Sequence, residues 1–131
     1  ASGTLIGGST IHATARDWAR FGEMLRNKGA VRGVQLVPRQ WIDFMTTPSP
    51  REAEYGAQIW LNRKPTSGGE GSLFPGKGAA SAFSAIGHLG QYVIVSPEQG
   101  LTVVRLGKTQ EDRLHLVAER LGDLVALFPK G

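Results

Sequence analysis

Three apolar runs joined by two short connections lie within residues 83–107, and they constrain the fold more than any other part of the chain. The second and third runs, 92–95 and 101–106, are rich in β-branched residues and are separated by Ser-Pro-Glu-Gln-Gly. Five residues that include Pro and Gly between two such runs are typical of a β-hairpin. The first run, 83–86, is joined to the second through Gly-His-Leu-Gly-Gln at 87–91. The sequence therefore predicts a meander of three antiparallel strands.

The connection at 87–91, called the corner below, carries two glycines three positions apart. Glycines so close indicate either a tight turn or backbone that another molecule must approach. From spacing alone both interpretations stand for Gly87 and Gly90. The imidazole of His88 could orient a leaving group or titrate near neutral pH. Gln91 could either hydrogen-bond a substrate amide or cap the edge of a strand.

A first helix is predicted to follow residues 1–13, a Gly-, Ser- and Thr-rich loop with its sharpest break at Gly7-Gly8. Thr14 and Asp17 form an acidic variant of the capping box. An apolar stripe at helical spacing follows, made of Trp18, Phe21 and Leu25. Gly29 is expected to end this helix.

Two more helices are predicted further along the chain. Pro38 suits the first position of the second helix, after a small extended piece at 31–37. The apolar side of that helix consists of Trp41, Phe44 and Met45. The last helix is expected to be capped by Thr109 together with Asp112, to pack on the sheet, and to end at Pro129.

The remaining segments predict one more strand and one long loop. Residues 55–61 alternate apolar and polar positions, as a half-buried strand does. Residues 63–81 are rich in Gly, Ser, Pro and Lys and predict a loop near the upper end of usual lengths. Tyr55 begins the strand after a flexible stretch, so it could line a cleft or be a half-buried packing residue.

The expected fold class is α+β, with an antiparallel sheet of three or more strands packed by a C-terminal helix and two helices on the N-terminal side. The domain organisation that we expect is one unit over 1–131. It consists of a helical scaffold at 1–62, the loop at 63–81, and the sheet with the last helix at 82–131.

Composition excludes several function classes. The 15 Lys and Arg outnumber the 11 Asp and Glu, but the surplus is scattered through the first half, whereas nucleic-acid binding usually needs a concentrated basic stripe. The chain has no cysteine, which excludes disulfides and thiolate metal sites. Its three histidines lack ligand spacing, so we expect no metal and no cofactor. No apolar run approaches the roughly 20 residues of a membrane span, and the compartment stays open.

The corner and its surroundings resemble a known family. The pattern Phe-x-Ala-x-Gly-His-x-Gly-Gln at 83–91, followed by a strand, Pro, Gly and a Val-rich strand, is similar to the C-terminal part of serine β-lactamase-like hydrolases. These include class C β-lactamases, penicillin-binding DD-peptidases, family VIII esterases and 6-aminohexanoate-dimer hydrolases. The Gly-x-x-Gly-Gln form looks most like the last group. The stretch at 7–22 and Leu-Val-Pro-x-x-Trp at 36–41 also resemble the family.

The resemblance implies a partial β-lactamase/transpeptidase-like fold and cleavage of amide or ester bonds through an acyl-enzyme. It implies that the His88 backbone amide is one oxyanion donor, beside the amide of a nucleophilic serine. The substrate-binding residues would be Gly87, Gly90, Gln91 and Tyr55, and the substrate a small-molecule amide or ester.

The family's nucleophile motif is absent from the sequence. No Ser-x-x-Lys, Tyr-x-Asn or Gly-x-Ser-x-Gly occurs among the 131 residues, although a β-lactamase-like enzyme needs a Ser-x-x-Lys nucleophile. We therefore expect the chain alone to be inactive and to pair with a missing N-terminal segment or with a second copy of itself. The alternative is a non-catalytic binding or interaction module that uses its sheet edge.

Overall fold

The computed structural model describes residues 11–131, and the predicted break at Gly7-Gly8 lies outside them. Within this range the fold is α+β, which confirms the predicted fold class. The helices are α1 (Ala15–Arg26), α2 (Arg39–Met45) and α3 (Leu114–Ala126). The strands are β1 (Ala30–Val31), β2 (Val34–Gln35), β3 (Trp60–Leu61), β4 (Phe83–Gly87), β5 (Gln91–Ser96) and β6 (Leu101–Arg105).

The main sheet has the order β3-β4-β5-β6, and every neighbouring pair is antiparallel. The predicted meander is therefore confirmed as β4 to β6. The connection from β5 to β6 is a short 3₁₀ turn, Pro97–Gln99, followed by Gly100 at φ +60°. This left-handed conformation suits glycine, which explains why the Pro-to-Gly pattern makes a tight return.

The strand predicted over 55–61 is mostly wrong, because only Trp60–Leu61 enters the sheet. Gln58 has φ +66°, a conformation that interrupts an extended chain. The Gly56 N–H also donates to the Ile59 carbonyl at 2.9 Å, which closes a turn. The alternating pattern therefore marks residues that are buried around a turn, not a continuous strand.

Helix α1 begins as predicted and packs tightly on the sheet. The Thr14 hydroxyl accepts a hydrogen bond from the Asp17 N–H at 3.1 Å and donates to its carboxylate at 2.7 Å. At Gly22 an added Cβ would lie 2.6 Å from the Thr102 Cγ2 on β6. The helix ends at Arg26, and Gly29 at φ +88° belongs to the turn that leads into β1.

The predicted extended piece after α1 is a small hairpin of β1 and β2. Its turn residues, Arg32 and Gly33, have φ +49° and +80°, as the two central residues of a type I′ turn require. Pro38 is the residue before the first turn of α2, which begins at Arg39. Helix bounds commonly differ by one residue in this way.

The sheet forms the middle layer between two apolar clusters. The cluster on the side of α1 and α2 consists of Leu25, Ile42, Ile59, Leu61, Phe83 and Val95. The cluster on the side of α3 consists of Leu73, Phe74, Tyr92, Ile94, Leu121 and Val125. Burial of both sheet faces explains why β5 reads as a nearly continuous apolar run. The expectation that the last helix packs on the sheet is confirmed.

The predicted cap of the last helix is wrong. A 3₁₀ turn, Glu111–Arg113, precedes α3, and no side chain caps its start. The Thr109 hydroxyl instead accepts a 2.6 Å hydrogen bond from the Arg105 guanidinium. A charged donor makes a stronger hydrogen bond than a neutral backbone N–H. The Thr109 hydroxyl therefore bonds to a side chain of β6 and does not cap the helix.

The end of α3 is held by a side chain from the turn between β5 and β6. The helix ends at Ala126, before the predicted Pro129. The Gln99 amide donates to the carbonyls of Val125 and Phe128, each at 2.8 Å. Its oxygen accepts from the Ala79 N–H at 3.1 Å in the long loop. One side chain therefore joins three segments.

Residues 63–81 contain neither helix nor strand, and the division of the chain into three parts stays a prediction. None of the helices within residues 11–131 combines the length and apolar character needed to cross a bilayer.

Candidate functional site

The corner between β4 and β5 is a strained, closed turn. The Gly87 carbonyl accepts a hydrogen bond from the Gly90 N–H at 3.3 Å. Leu89 has φ +58° and Gly90 has φ +92°. A non-glycine residue in the left-handed region costs about 1–3 kcal/mol and persists only where its surroundings enforce it. The corner is thus a place where the fold imposes one backbone conformation.

The His88 amide points out of this turn. The peptide bonds of the described chain are all trans, so an N–H lies antiparallel to the carbonyl of the preceding residue. Because the Gly87 carbonyl faces Gly90 inside the turn, the His88 N–H faces the opposite side. His88 is exposed, and no group among residues 11–131 accepts a hydrogen bond from its N–H. This donor is therefore available to another molecule.

The outer edge of β4 is open beside this amide. Strand β3 pairs only with Phe83 and Ser84. Backbone groups alternate between the two edges of an antiparallel strand, so those of Ile86 face the same edge as those of Ser84. The part from Ile86 to His88, called the open edge below, pairs with β5 on its inner side but has no strand partner on its outer side among the described residues. It presents main-chain donors and acceptors next to the exposed His88.

The carbonyls of the corner are held on the opposite side. The Leu89 carbonyl accepts from the Thr109 N–H at 2.9 Å. The Gly90 carbonyl accepts from the Arg105 guanidinium, which also donates to the Thr109 hydroxyl at 2.6 Å. The last residue of β6 and the segment that follows this strand therefore lie under the corner and fix its backbone.

Gln91 completes this arrangement. Its side-chain amide donates to the His88 carbonyl at 3.3 Å and to the Gly107 carbonyl. Its oxygen accepts from the Gly107 N–H at 3.0 Å. We call the three residues whose side chains or amides hold the corner the brace: Gln91, Arg105 and Thr109.

The structure brings four of the five predicted site residues together. Gly87 and His88 are exposed, whereas Gly90 is buried. A Cβ at Gly90 would lie 2.6 Å from the Arg105 Nη1, so the need for glycine there is explained without a substrate. For Gln91, the hydrogen bonds support the structural alternative, because both of its donors and its acceptor are used within the protein. Substrate contacts by these residues stay predictions.

Tyr55 lies beyond β3, on the side of that strand away from β4. It forms an isolated bridge with Trp60, and the two rings meet edge to face with centroids 4.7 Å apart. Trp60 pairs with Ser84, which is four residues before His88 and therefore about 13 Å along the strand. Tyr55 is half-buried. A role for Tyr55 in the cleft stays a prediction.

Arg105 is not among the residues predicted from the sequence, and Thr109 is predicted there only as a helix cap. One signal was present: Arg105 is the single charged residue in the apolar run at 101–106. A charge in such a run needs hydrogen-bond partners when it is not fully exposed. Its partners are neutral oxygens, and no carboxylate among residues 11–131 lies within ion-pair distance of it. A positive charge thus lies beneath the corner.

The long loop is anchored beside β3. The buried Glu54 carboxylate accepts from the Ser72 N–H at 2.6 Å and from the Ser72 hydroxyl at 3.1 Å. Glu52 accepts from the Thr66 N–H at 2.8 Å, and this hydrogen bond lowers the pKa of the Glu52 carboxyl. These bonds give the loop a fixed attachment next to the strand that flanks the open edge.

The described part of the chain contains no cluster of three or more His, Asp or Glu side chains that could hold a metal ion. The open edge offers backbone hydrogen-bonding groups, with the exposed His88 side chain beside them and the Arg105 guanidinium beneath the corner.

A family model described as Beta-lactamase matches residues 2–127. No curated protein matches the chain.

Proposed function

Because the chain belongs to the Beta-lactamase family, we propose that it is the C-terminal portion of a serine hydrolase that cleaves amide or ester bonds through an acyl-enzyme. The observation that carries this proposal is the His88 amide, which points outward from a rigid corner beside the open edge. Backbone N–H groups fixed in this way are suited to stabilise the negative oxygen that forms when a carbonyl is attacked.

In the proposed reaction, a serine hydroxyl supplied by another part of the enzyme attacks the substrate carbonyl. The carbonyl oxygen becomes an oxyanion and accepts hydrogen bonds from the His88 amide and from a second donor, expected to be the amide of the serine itself. The intermediate then expels an amine or an alcohol, which leaves the acyl group on the serine, and water hydrolyses the resulting ester. One oxyanion donor contributes about 10²–10³ to the rate.

The proposed substrate is neutral near the scissile bond, as in the 6-aminohexanoate-dimer hydrolase type. Residues 85–91 include no Lys or Arg. The nearby Arg105 directs its guanidinium at the Gly90 and Gly107 carbonyls and at the Thr109 hydroxyl. This environment favours an uncharged amide or ester over a substrate that needs a cation to bind its carboxylate.

A fluorophosphonate probe tests the proposal on the full-length protein. We expect the probe to label one serine outside this chain, and we expect the isolated 131-residue chain to remain unlabelled. The absence of labelling of the full-length protein would count against a serine hydrolase and favour a non-catalytic module that binds a partner strand at its sheet edge.

We further propose that a second polypeptide segment covers β6 and α3. Strand β6 lies at the other edge of the sheet, and a groove of about 470 Å³ separates its end from α3. Leu116 and Leu124 on α3 are 46% and 42% exposed, and an apolar face beside an unpaired edge favours association. The segment is either an N-terminal part of the enzyme or a second copy of the chain. Light scattering of the isolated chain distinguishes them, since a monomer excludes the second copy.

A further inference from the structure

We propose, on the basis of the function above, that Arg105 and Thr109 are positioning residues for oxyanion stabilisation. They orient and polarise the His88 amide through two peptide groups that are joined by a hydrogen bond. Neither residue lies on the open edge. Their contacts are with the opposite side of the corner.

The hydrogen bonds form a continuous series of peptide groups. The Thr109 N–H donates to the Leu89 carbonyl at 2.9 Å. That carbonyl shares a peptide group with the Gly90 N–H, which donates to the Gly87 carbonyl at 3.3 Å. The Gly87 carbonyl in turn shares its peptide group with the His88 N–H. Each trans peptide is planar, and the hydrogen bond from the Gly90 N–H to the Gly87 carbonyl joins the two peptides. Holding the Leu89 carbonyl therefore restrains the direction of the His88 N–H.

The same series also strengthens the donor. Hydrogen bonds in a chain polarise one another in the same sense, and here the sense runs from Thr109 toward His88. The outermost N–H therefore carries more positive charge than it would in an unsupported turn. An oxyanion that accepts a hydrogen bond from the His88 N–H is therefore stabilised by both hydrogen bonds of the series.

Arg105 holds the first member of the series in place. Its guanidinium donates to the Thr109 hydroxyl at 2.6 Å and to the carbonyls of Gly90 and Gly107. No described carboxylate neutralises its charge. Because these partners are neutral, a net positive potential remains beneath the corner. It favours negative charge on the substrate oxygen more than the neutral carbonyl of the ground state.

The test compares Arg105→Ala with Arg39→Ala in the full-length enzyme. Arg39 is an exposed residue at the start of α2, and its side chain makes no hydrogen bond or ion pair within residues 11–131. We expect Arg105→Ala to lower kcat about 10–100-fold with little change in KM, since misplacing a reacting group by about 1 Å can cost 10²-fold. Arg39→Ala should keep the wild-type kcat.

Two readouts separate positioning from a merely structural role. Millimolar guanidinium should partly restore kcat of Arg105→Ala, whereas the same concentration of sodium chloride should not. The loss should also be larger for an oxo-ester than for the matching thiono-ester, because sulfur accepts oxyanion hydrogen bonds poorly. An equal loss for both esters, or no rescue, overturns the proposal.

Thr109→Pro and Thr109→Val provide a second pair. Proline removes the N–H that starts the series, whereas valine removes only the hydroxyl. We expect the proline variant to lose more kcat and to speed hydrogen exchange at the Gly90 amide, while amides of β5 keep their protection. Wild-type labelling by a fluorophosphonate reports on the proposed function itself. If the wild type is labelled but hydrogen exchange at the Gly90 amide is unaltered in Thr109→Pro, the hydrogen-bond series is rejected and the proposed function stands.

Discussion

Replacing His88 by proline removes one backbone N–H together with the imidazole, and comparison with an alanine variant tests the assignment of the oxyanion donor. His88 is the second residue of the turn closed by the Gly87 carbonyl and the Gly90 N–H, and it does not have a positive φ. Proline is favoured at this position of a β-turn. The His88 N–H has no acceptor among the described residues, so no internal hydrogen bond is lost.

The expected loss follows from the number of donors removed. Deleting one oxyanion-hole donor lowers kcat about 10²–10³-fold, which corresponds to about 2.7–4 kcal/mol of transition-state stabilisation. KM should change little, because a neutral substrate carbonyl gains much less from this hydrogen bond than the oxyanion does. Stability should change by no more than about 1 kcal/mol, since the turn accepts proline.

His88→Ala is the matched control, because it removes the imidazole and keeps the amide. The assay is steady-state hydrolysis of a neutral p-nitrophenyl ester by the full-length enzyme, with thermal melting to show that each variant is folded. We expect the alanine variant to stay within a few-fold of the wild type. If both variants lose kcat equally, the side chain acts and not the amide. If a folded proline variant keeps the wild-type kcat, the corner does not stabilise the oxyanion.

Three further predictions concern stability. Gln91→Glu should destabilise the protein by about 1–3 kcal/mol in urea unfolding, because a carboxylate cannot donate to the carbonyls that the amide serves. Gly22→Ala should cost about 1–3 kcal/mol through overpacking against the Thr102 Cγ2, and Thr102→Ser, which removes that methyl group, should recover part of it. The hydrogen bond from the Thr66 N–H lowers the pKa of the Glu52 carboxyl. The stability that this carboxylate contributes is complete above its ordinary pKa of 4.5 and is lost as the pH falls through its lower pKa in the folded protein. Glu52→Gln should remove that part of the pH dependence of proteolysis in the loop.

Each of these has an outcome that contradicts it. An unchanged urea midpoint for Gln91→Glu would show that the amide contacts contribute nothing. Wild-type stability of the Gly22→Ala variant would mean that α1 can move away from β6 without a loss of unfolding free energy. Proteolysis of the Glu52→Gln variant that still accelerates in acid to the wild-type extent would assign the effect to another carboxyl.

The sequence was sufficient to predict the meander, the first cap and the packing of the last helix, because these depend on local patterns. Pro and Gly between β-branched runs fix the β5–β6 return, and Thr14 with Asp17 caps α1. The strand at 55–61 failed because alternating burial is also produced by a turn whose reversal depends on Gln58 at positive φ. No local pattern requires that conformation of a glutamine.

The parts of the brace formed by Arg105 and Thr109 could not be predicted, because their hydrogen bonds to the corner join residues that are distant in sequence. The corner glycines indicated a special backbone, but the guanidinium that holds it comes from the last residue of β6 and the peptide N–H from the segment after that strand. Thr109 satisfied the rules for a helix cap equally well. Whether the Thr109 hydroxyl bonds to a helix N–H or to the Arg105 guanidinium depends on where Arg105 lies once the sheet has formed, which is a property of the tertiary structure.

The Gln99 side chain couples local unfolding in three regions that belong to different elements of the fold. The end of α3, the long loop near Ala79 and the β5–β6 return all bond to the same amide. Fraying of the final helical turn must therefore release the other two at once, and the three should exchange amide hydrogens as one cooperative unit. A protease cut in the loop should then loosen the far end of the helix, although the cleaved bond lies well away from it along the chain.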